Sequence, residues 1–313
     1  MMNNQDNIER ADWIVPELGF EAETERLRRM IAEWITGVKP EMADALQWQF
    51  LSGSKYFRPL TVFCCAEAIE AGPIDDRAIR GAMSLELFHN MTLVVDDILD
   101  RSDERRGKAS MHHKFGELKA LMTSGYMVAE AYRMVKYDPA IIELLSELMT
   151  RLGAAEVKQW DERCKPLGVE DWRALAREDT GSMFEVAACL GDPTGQLRKF
   201  GQLLGILYHA CDDVSDVRGT SALGGGGDED VRDGILTLPA ALAIRDPYVA
   251  EMFADPNESN YDDLATAFRA VLPEAEAELD KIVDAAIGEA EANSEDPTKL
   301  IGLVALTRNL GRE

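Results

Sequence analysis

The apolar residues recur with a helical period along almost the whole chain, and no other feature constrains the fold as strongly. In residues 20–36, Phe20, Leu27, Ile31 and Ile35 recur near helical spacing among charged residues. Period-two alternation bounded by turn residues, which indicates a strand, is scarce. The sequence therefore predicts an all-α protein without a substantial sheet.

The other predicted helices are separated by short breaks at Gly, Pro and Asp. They cover residues 57–72, 75–100, 115–136, 139–163, 170–189, 195–218, 234–245, 260–290 and 297–308. No break is long enough for an interdomain linker, so we expect residues 1–313 to form one domain, with residues 1–18 as a flexible N-terminus. Residues 221–230, SALGGGGDED, have the most flexible composition and predict a surface loop or a lid.

The net charge restricts the expected partners. The chain has 57 acidic and 33 basic residues, a formal charge of −24, which repels nucleic acid and anionic membranes. The five cysteines of the chain include no C-x-x-C pair or Cys/His cluster, which argues against a disulfide framework or a zinc site. No signal peptide is visible, and no apolar run approaches the ~20 residues of a membrane span, so we expect a cytoplasmic protein.

Two acidic clusters of the form D-D-x-x-D each end an apolar helical segment. They comprise Asp96, Asp97, Asp100 and Asp212, Asp213, Asp216. Residues four apart share a helix face, where two like charges cost roughly 0.2–0.5 kcal/mol. One such cluster in so acidic a chain is most simply a solvated helix end, but two in equivalent positions favour a metal site. Because Mg²⁺ prefers carboxylate oxygens and substrate phosphates, we expect the clusters to face each other and bind several Mg²⁺ ions and one diphosphate.

Basic residues accompany the first cluster. Arg105 and Arg106 follow it, His89 lies seven residues before its first aspartate, and Lys55 and Arg58 come earlier in the chain. Arginine binds phosphate oxygens in a bidentate manner, and lysine binds them as a point charge. Each residue alone would be a surface charge or a core histidine. Together with the aspartates they predict a second anionic group bound nearby.

Five stretches carry a family resemblance. They occur in order between about residues 50 and 245: GSKYFRP, ELFHNMTLVVDDILDRSDERRG, HHKFG, HACDDVSD and DGILTLPAA. With them the chain resembles the trans-isoprenyl diphosphate synthases, the polyprenyl synthetase family. The resemblance implies an all-α, single-domain isoprenoid synthase fold, a helical bundle around a deep central cavity, usually as a homodimer. It also implies Mg²⁺-dependent condensation of an allylic prenyl diphosphate with isopentenyl diphosphate, with three Mg²⁺ ions around the bound diphosphate.

The resemblance also implies roles for individual residues. It implies that Asp96, Asp100 and Asp212 bind Mg²⁺ directly and that Asp97, Asp213 and Asp216 support them. It implies an isopentenyl diphosphate site at Lys55, Arg58, His89 and Arg106. Arg105 matches an arginine that contacts the allylic diphosphate, and Asp161 matches the aspartate of the family's G-Q-x-x-D stretch.

The chain departs from the family pattern on the allylic side. Three family lysines that bind the allylic diphosphate correspond to Asp179, Ile235 and a position near Gly226, while Thr180 keeps the threonine that follows the first of them. Their loss should weaken diphosphate binding, because a charge-assisted hydrogen bond is worth about 1.5–3 kcal/mol. His209 occupies a position where the family pattern has a glutamine.

Two cations are candidates to compensate for the missing lysines. Lys158 stands where the family has a glutamine, and Arg218 lies just beyond the second cluster. We expect both to replace part of the lost positive charge. Thr92 and Met91 occupy positions where aromatic residues of the family close the cavity, which predicts products of C20 or longer.

Three functions remain open from the sequence. The first is a prenyltransferase with an altered allylic site. The second is a terpene cyclase on the same fold, which ionises one prenyl diphosphate without isopentenyl diphosphate. The missing lysines favour this function. The retained residues of the isopentenyl diphosphate site argue against it, namely Lys55, Arg58, His89 and Arg106. The third is a non-catalytic regulatory subunit, against which the two intact clusters argue.

Overall fold

The computed structural model describes residues 14–50, 55–70, 72–105, 107–219 and 229–312. These residues form two compact units. Unit 1 comprises the described residues up to Leu145 together with Leu190–Pro193, and unit 2 comprises Ser146–Cys189 and the described residues from Thr194 onward. The expectation of a single domain stays a prediction.

Unit 1 is helical apart from one short hairpin. Its helices are α1 (Ile14–Leu18), α2 (Glu21–Gly37), α3 (Pro40–Phe50), α4 (Phe57–Ile69), α5 (Asp76–Leu99), α6 (Met111–Phe115), α7 (Glu117–Met134) and the start of α8 (Pro139–Glu162). The strands β1 (Glu104–Arg105) and β2 (Lys108–Ala109) pair antiparallel between α5 and α6. Of the predicted flexible N-terminus, residues 14–18 form α1 with Ile14 and Val15 buried, and residues 1–13 lie outside the described residues.

Unit 2 contains the rest of α8 and the remaining helices. These are α9 (Val169–Glu178), α10 (Thr180–Gly191), α11 (Arg198–Arg218), α12 (Glu229–Asp233), α13 (Leu238–Ala243), α14 (Pro247–Ala254), α15 (Tyr261–Ala270), α16 (Leu272–Asn293) and α17 (Thr298–Leu310). The all-α prediction is confirmed for the described chain, in which the hairpin of unit 1 is the only sheet. No helix in the described ranges is long and apolar enough to cross a membrane.

The core of unit 1 forms around α5. The Asp75 carboxylate caps its N-terminus by accepting a hydrogen bond from the Ala78 N–H at 2.7 Å. Side chains on every face of its middle turns are buried, and it packs mainly against α7 and α4. A helix that is apolar all round belongs in a core. The helix ends at Leu99, before Arg101 adopts a positive φ of 55°, so the first aspartate cluster lies at its C-terminal end.

The core of unit 2 forms around α11, which packs against α16, α17 and α9. Close approach of α10 requires glycine on α11, because a Cβ atom on Gly205 would lie 2.7 Å from the Thr180 carbonyl oxygen. Gly219 ends α11 in the left-handed conformation, and its N–H donates to the Asp216 carbonyl oxygen at 3.0 Å. The second cluster therefore also lies at the C-terminal end of a core helix, beside Thr180.

Candidate active site

The first cluster presents its three aspartates differently. Asp97 is buried, with 2% of its surface exposed, whereas Asp96 is half-buried and Asp100 is exposed. Asp96 and Asp100 are four residues apart and share a helix face. The C-terminal end of a helix carries a partial negative charge, so carboxylates there concentrate a negative potential that favours a cation. Asp96 and Asp100 therefore suit cation binding, and Asp97 has a different role.

Asp97 anchors the hairpin that follows the cluster. Its Oδ1 accepts a hydrogen bond from Arg105 Nε at 2.6 Å. Burial raises the pKa of Asp97, and the Arg105 guanidinium offsets part of that rise. A guanidinium has five N–H donors, so Arg105 retains donors for a phosphate after bonding to Asp97. Arg106, the other predicted arginine, lies outside the described residues.

Two residues of the predicted isopentenyl diphosphate site lie together in unit 1. Arg58 Nη1, on the first turn of α4, lies 3.2 Å from His89 Nε2, on α5. Arginine can only donate, so Nε2 is the acceptor and the imidazole is neutral in this contact. Lys55 is half-buried just before α4. The structure therefore brings Arg58 and His89 together, which the sequence separates by 31 positions.

In the second cluster, Asp213 is the buried member. Its Oδ2 accepts hydrogen bonds from Trp172 Nε1 at 2.8 Å and from the Leu238 N–H at 2.7 Å. Burial raises the pKa of Asp213, while His209 and these two N–H donors act in the opposite direction. Asp213 thus joins α9, α11 and α13, while Asp212 and Asp216, four residues apart, remain half-buried.

His209 lies one turn before Asp213 among acidic groups. Its Nδ1 is 3.0 Å from Thr180 Oγ1 and 3.4 Å from Asp179 Oδ2, and its Nε2 is 3.8 Å from Asp213 Oδ1. Burial alone would lower the pKa of His209, but the carboxylates of Asp213, Asp179 and Asp212 outweigh it and raise that pKa to about 9. His209 is therefore an imidazolium at neutral pH. Its positive charge compensates the negative charge of the Asp179 carboxylate.

We expect His209 to make protein stability depend on pH. Its folded-state pKa lies above the ordinary value of 6.5, so its contribution is fully present below about pH 6.5 and is lost as the pH rises through about 9. The difference in unfolding free energy between the wild type and His209→Gln should shrink across this window. Chemical denaturation in EDTA from pH 6 to 10 measures it. A difference that stays constant over this range would contradict the raised pKa.

The remaining predicted residues of the allylic side lie in unit 2 on separate segments. Lys158 is exposed on α8, with its Nζ 3.9 Å from Glu162 Oε1, and Asp161 is exposed on the same helix. Ile235 is half-buried between α12 and α13, with its N–H donating to the Asp230 carbonyl oxygen at 2.9 Å. Gly226 and the predicted lid around it lie outside the described residues, apart from residues 229 and 230 at the start of α12.

Arg218 has partners at the C-terminal end of the chain. Its guanidinium pairs with Glu276 on α16 and donates to the Gly311 carbonyl oxygen beyond α17. Arg308, with 6% of its side chain exposed, pairs with the same Glu276 and bonds through Nε to Asp280 Oδ1 at 3.0 Å. Arg218 therefore ties α11 to the end of the chain, and the compensating role expected for it stays a prediction.

The described carboxylates fit Mg²⁺ by their chemistry. Within the described ranges, no three His, Cys, Asp or Glu side chains form a ready-made metal site. Mg²⁺ does not need one, since it usually binds one or two carboxylates together with waters and substrate phosphates. The less buried pairs, Asp96 with Asp100 and Asp212 with Asp216, supply such oxygen ligands, so this donor set suits a hard cation.

Sequence reasoning missed Trp172, the indole that holds Asp213. The spacing of Trp172 with Leu175 and Ala176 indicates a core face of α9, and these three residues are indeed buried. A core position does not reveal which buried acceptor the indole N–H will meet. Its partner lies 41 positions away in the chain, and no local pattern connects the two.

Comparisons with known proteins show which sequences and structures the chain resembles. The sequence profile named polyprenyl synthetase matches residues 39–271 of the chain. Geranylgeranyl pyrophosphate synthase 4 of Arabidopsis thaliana is 28% identical over 268 residues, which cover 78% of this chain and 71% of that protein. The chain spans 64 to 65% of the lengths of several further curated relatives.

Solved structures show the same fold. Heptaprenyl diphosphate synthase from Staphylococcus aureus superposes with a TM-score of 0.85 at 22% identity, over 94% of this chain and 98% of that chain. Polyprenyl synthase from Caulobacter crescentus CB15, complexed with calcium and isoprenyl diphosphate, gives a TM-score of 0.84 at 22% identity, over 96% and 98% of the two chains. The predicted isoprenoid synthase fold is therefore confirmed.

Proposed function

Because the chain belongs to the polyprenyl synthetase family, we propose that it is a Mg²⁺-dependent prenyltransferase, an isoprenyl diphosphate synthase of isoprenoid biosynthesis. It condenses an allylic prenyl diphosphate with isopentenyl diphosphate. The observation that carries this proposal is the repeated cluster: each D-D-x-x-D ends a core helix, with its middle aspartate buried and the other two less buried.

We assign the metal to three of the less buried carboxylates. Asp96, Asp100 and Asp212 would hold Mg²⁺, with Asp216 in support. When bound, Mg²⁺ supplies a Lewis acid that neutralises the charge of the departing diphosphate. Three ions around one diphosphate, as the resemblance implies, remain part of this proposal.

The buried aspartates position other groups. Asp97 holds Arg105 at 2.6 Å, and Arg105 in turn binds phosphate oxygens of the allylic substrate. Asp213 fixes α11 through Trp172 and the Leu238 N–H, which keeps Asp212 oriented. Neither buried carboxylate needs to touch the metal.

The second substrate, isopentenyl diphosphate, is bound by Lys55, Arg58, His89 and Arg106. The 3.2 Å contact between Arg58 and His89 supports this assignment, because it holds the guanidinium before the substrate arrives. Cleavage of the allylic C–O bond gives an allylic cation, which must be kept from water. The double bond of isopentenyl diphosphate attacks that cation, and loss of a proton completes the condensation.

On the allylic side we assign to His209 the neutralisation of Asp179, and to Lys158 and Arg218 the replacement of part of the lost positive charge. The imidazolium of His209 is held by Asp179, Thr180 and Asp213, on the same unit as Asp212. Thr180 and Asp161 are further substrate-binding residues in this proposal. In this assignment the neutralisation of Asp179 removes part of the repulsion that its carboxylate would exert on a diphosphate.

A terpene cyclase on the same fold is the second candidate. Asp179 and Ile235, where the family pattern has lysines, favour it because they change how the diphosphate is bound. Arg58 and His89 favour prenyl transfer, because a cyclase has no isopentenyl diphosphate to bind. A non-catalytic regulatory subunit is the third, and both clusters argue against it.

One assay distinguishes the three functions. The purified protein is incubated with Mg²⁺ and a C10, C15 or C20 allylic diphosphate, with and without isopentenyl diphosphate. We expect longer diphosphates of C20 or more only when isopentenyl diphosphate is present, because Thr92 and Met91 are not rigid aromatic plugs. Hydrocarbons or alcohols formed without it indicate the cyclase, and no turnover indicates the regulatory subunit. Products limited to C10 or C15 contradict the predicted chain length.

We also propose a homodimer in the cytoplasm. The family resemblance supports the dimer, and the acidic surface and cysteine pattern support the location. Sedimentation equilibrium of the purified protein tests the dimer, which a monomer at micromolar concentration would exclude.

A further inference from the structure

The hairpin that carries Arg105 needs support from outside itself, because its two-residue strands are too short to be stable alone. The Ser110 N–H closes its base by donating to the Asp103 carbonyl oxygen at 2.9 Å. Asp97 holds β1 through Arg105 at 2.6 Å. The corresponding attachment of β2 is made by Trp48 on α3.

Trp48 contacts β2 in two ways. Its Nε1–H donates to the Ala109 carbonyl oxygen at 2.9 Å. The Nζ of Lys108 lies 5.0 Å from the centre of its ring, within the range of a cation–π contact. One side chain thus binds both the backbone and a side chain of β2.

The same indole holds the helix that follows the hairpin. Lys114 Nζ lies 3.5 Å from the ring centre, and Phe115 meets the ring edge-on, with centroids 6.4 Å apart at 80°. Asp44, four residues before Trp48, pairs with Lys119 at 2.6 Å. Since residues four apart share a helix face, one face of α3 binds the hairpin, α6 and the start of α7.

The two ammonium groups on this ring repel each other. Burial lowers the pKa of Lys108, and the nearby Lys114 lowers it further. The negative face of the indole offsets this repulsion, which an aliphatic side chain could not do. Loss of the ring should therefore release β2 and α6 together.

We propose that Trp48 is a positioning residue that fixes the hairpin and thereby the phosphate-binding guanidinium of Arg105. The inference rests on the proposed function, which assigns Arg105 to a substrate diphosphate. Trp48 acts through the hairpin and has no assigned contact with substrate. Its effect should therefore fall on substrate affinity rather than on the chemical step.

Two variants separate the contributions of the indole. Trp48→Phe keeps an aromatic face but loses the N–H bond to Ala109, and Trp48→Leu loses both. Trp34→Phe is the matched control, because Trp34 lies in the same unit but donates to Glu130 Oε2 at 3.0 Å and packs on Phe50. In the full-length protein, we measure KM for the allylic diphosphate, kcat, and amide hydrogen exchange across residues 103–110 without substrate.

We expect KM to rise about 5-fold in Trp48→Phe and about 30-fold in Trp48→Leu, with kcat within about 3-fold and Trp34→Phe unchanged. Amide hydrogen exchange across residues 103–110 should be faster in Trp48→Phe than in the wild type, and faster again in Trp48→Leu. Unchanged exchange overturns the proposed attachment, and faster exchange with unchanged KM overturns the positioning role. If Trp48→Leu does not fold, KM and hydrogen exchange in Trp48→Phe decide whether Trp48 positions the hairpin.

Failure of the proposed function would give a different result. A wild-type protein without prenyl transfer refutes the prenyltransferase and leaves the role of Trp48 testable. The affinity of the protein for inorganic pyrophosphate with Mg²⁺, measured by calorimetry, then replaces KM. A pyrophosphate affinity that falls from the wild type to Trp48→Phe and again to Trp48→Leu supports the positioning role. Equal pyrophosphate affinities in the three proteins overturn it.

Discussion

Replacing Asp96 with Asn should lower kcat/KM for prenyl transfer by about 10³-fold. Metal stabilisation of a departing oxyanion is worth several kcal/mol, and about 4 kcal/mol corresponds to this factor. Asp96 shares a helix face with Asp100 at the negative end of α5, so the substitution replaces one carboxylate oxygen with an amide nitrogen and removes one negative charge from the cluster. The Mg²⁺ concentration at half-maximal rate should rise in parallel. Steady-state kinetics over a range of Mg²⁺ concentrations measure both quantities.

A matched control separates metal binding from loss of one negative charge. Asp284→Asn makes the same chemical change at an exposed position on α16. We expect it to keep kcat/KM and Mg²⁺ dependence within about 2-fold of the wild type, as surface substitutions usually do. If Asp96→Asn retains the wild-type Mg²⁺ dependence, Asp96 is not a metal ligand.

Substitutions of the two adjacent aspartates of the second cluster should affect different properties, namely stability for Asp213 and activity for Asp212. Asp213→Leu should lower the unfolding free energy by about 3–5 kcal/mol, because it leaves the Trp172 and Leu238 N–H donors buried without their acceptor. Asp212→Asn should change that free energy by less than about 1 kcal/mol, because Asp212 is half-buried. Its kcat/KM should nevertheless fall by at least about 100-fold if it binds Mg²⁺. Denaturant unfolding in EDTA and steady-state kinetics give the two readouts.

Trp172→Phe is the control for the buried network. It removes one of the two N–H donors to Asp213 Oδ2 and keeps an aromatic ring, so we expect the unfolding free energy to fall by about 1–3 kcal/mol. Equal losses of unfolding free energy for Asp213→Leu and Asp212→Asn would show that the buried Asp213 has no larger structural role than Asp212.

The main helices could be predicted from the sequence because their apolar periods are long. The period predicts helices over 75–100 and 195–218, close to the observed α5 and α11. The shorter elements carry weaker signals. The hairpin at 104–109 has strands too short to show alternation. The predicted helices do not include α1, α3, α6, α12 or α14. The helix predicted over 170–189 is interrupted at Asp179, whose ψ of −104° ends α9 before α10 begins.

The candidate site could be predicted by residue type but not by burial. Two D-D-x-x-D clusters that each end an apolar helical segment favour a metal site. The sequence does not show that Asp97 and Asp213 are the buried members, because this depends on Arg105 in a hairpin and on Trp172 in another helix. Likewise, the pairing of His209 with Asp179 depends on the close approach of α10 to α11 at Gly205.

The hydrogen bond from Arg218 to the Gly311 carbonyl oxygen limits where this protein can carry a probe. Arg218 lies two positions after Asp216, and a Cβ at Gly311 would lie 3.1 Å from Cys211 Sγ. A fluorescent label placed at position 311 would therefore meet the helix that carries Asp212 and Asp216. An exposed position on α16, such as Asp284, is better suited to a label.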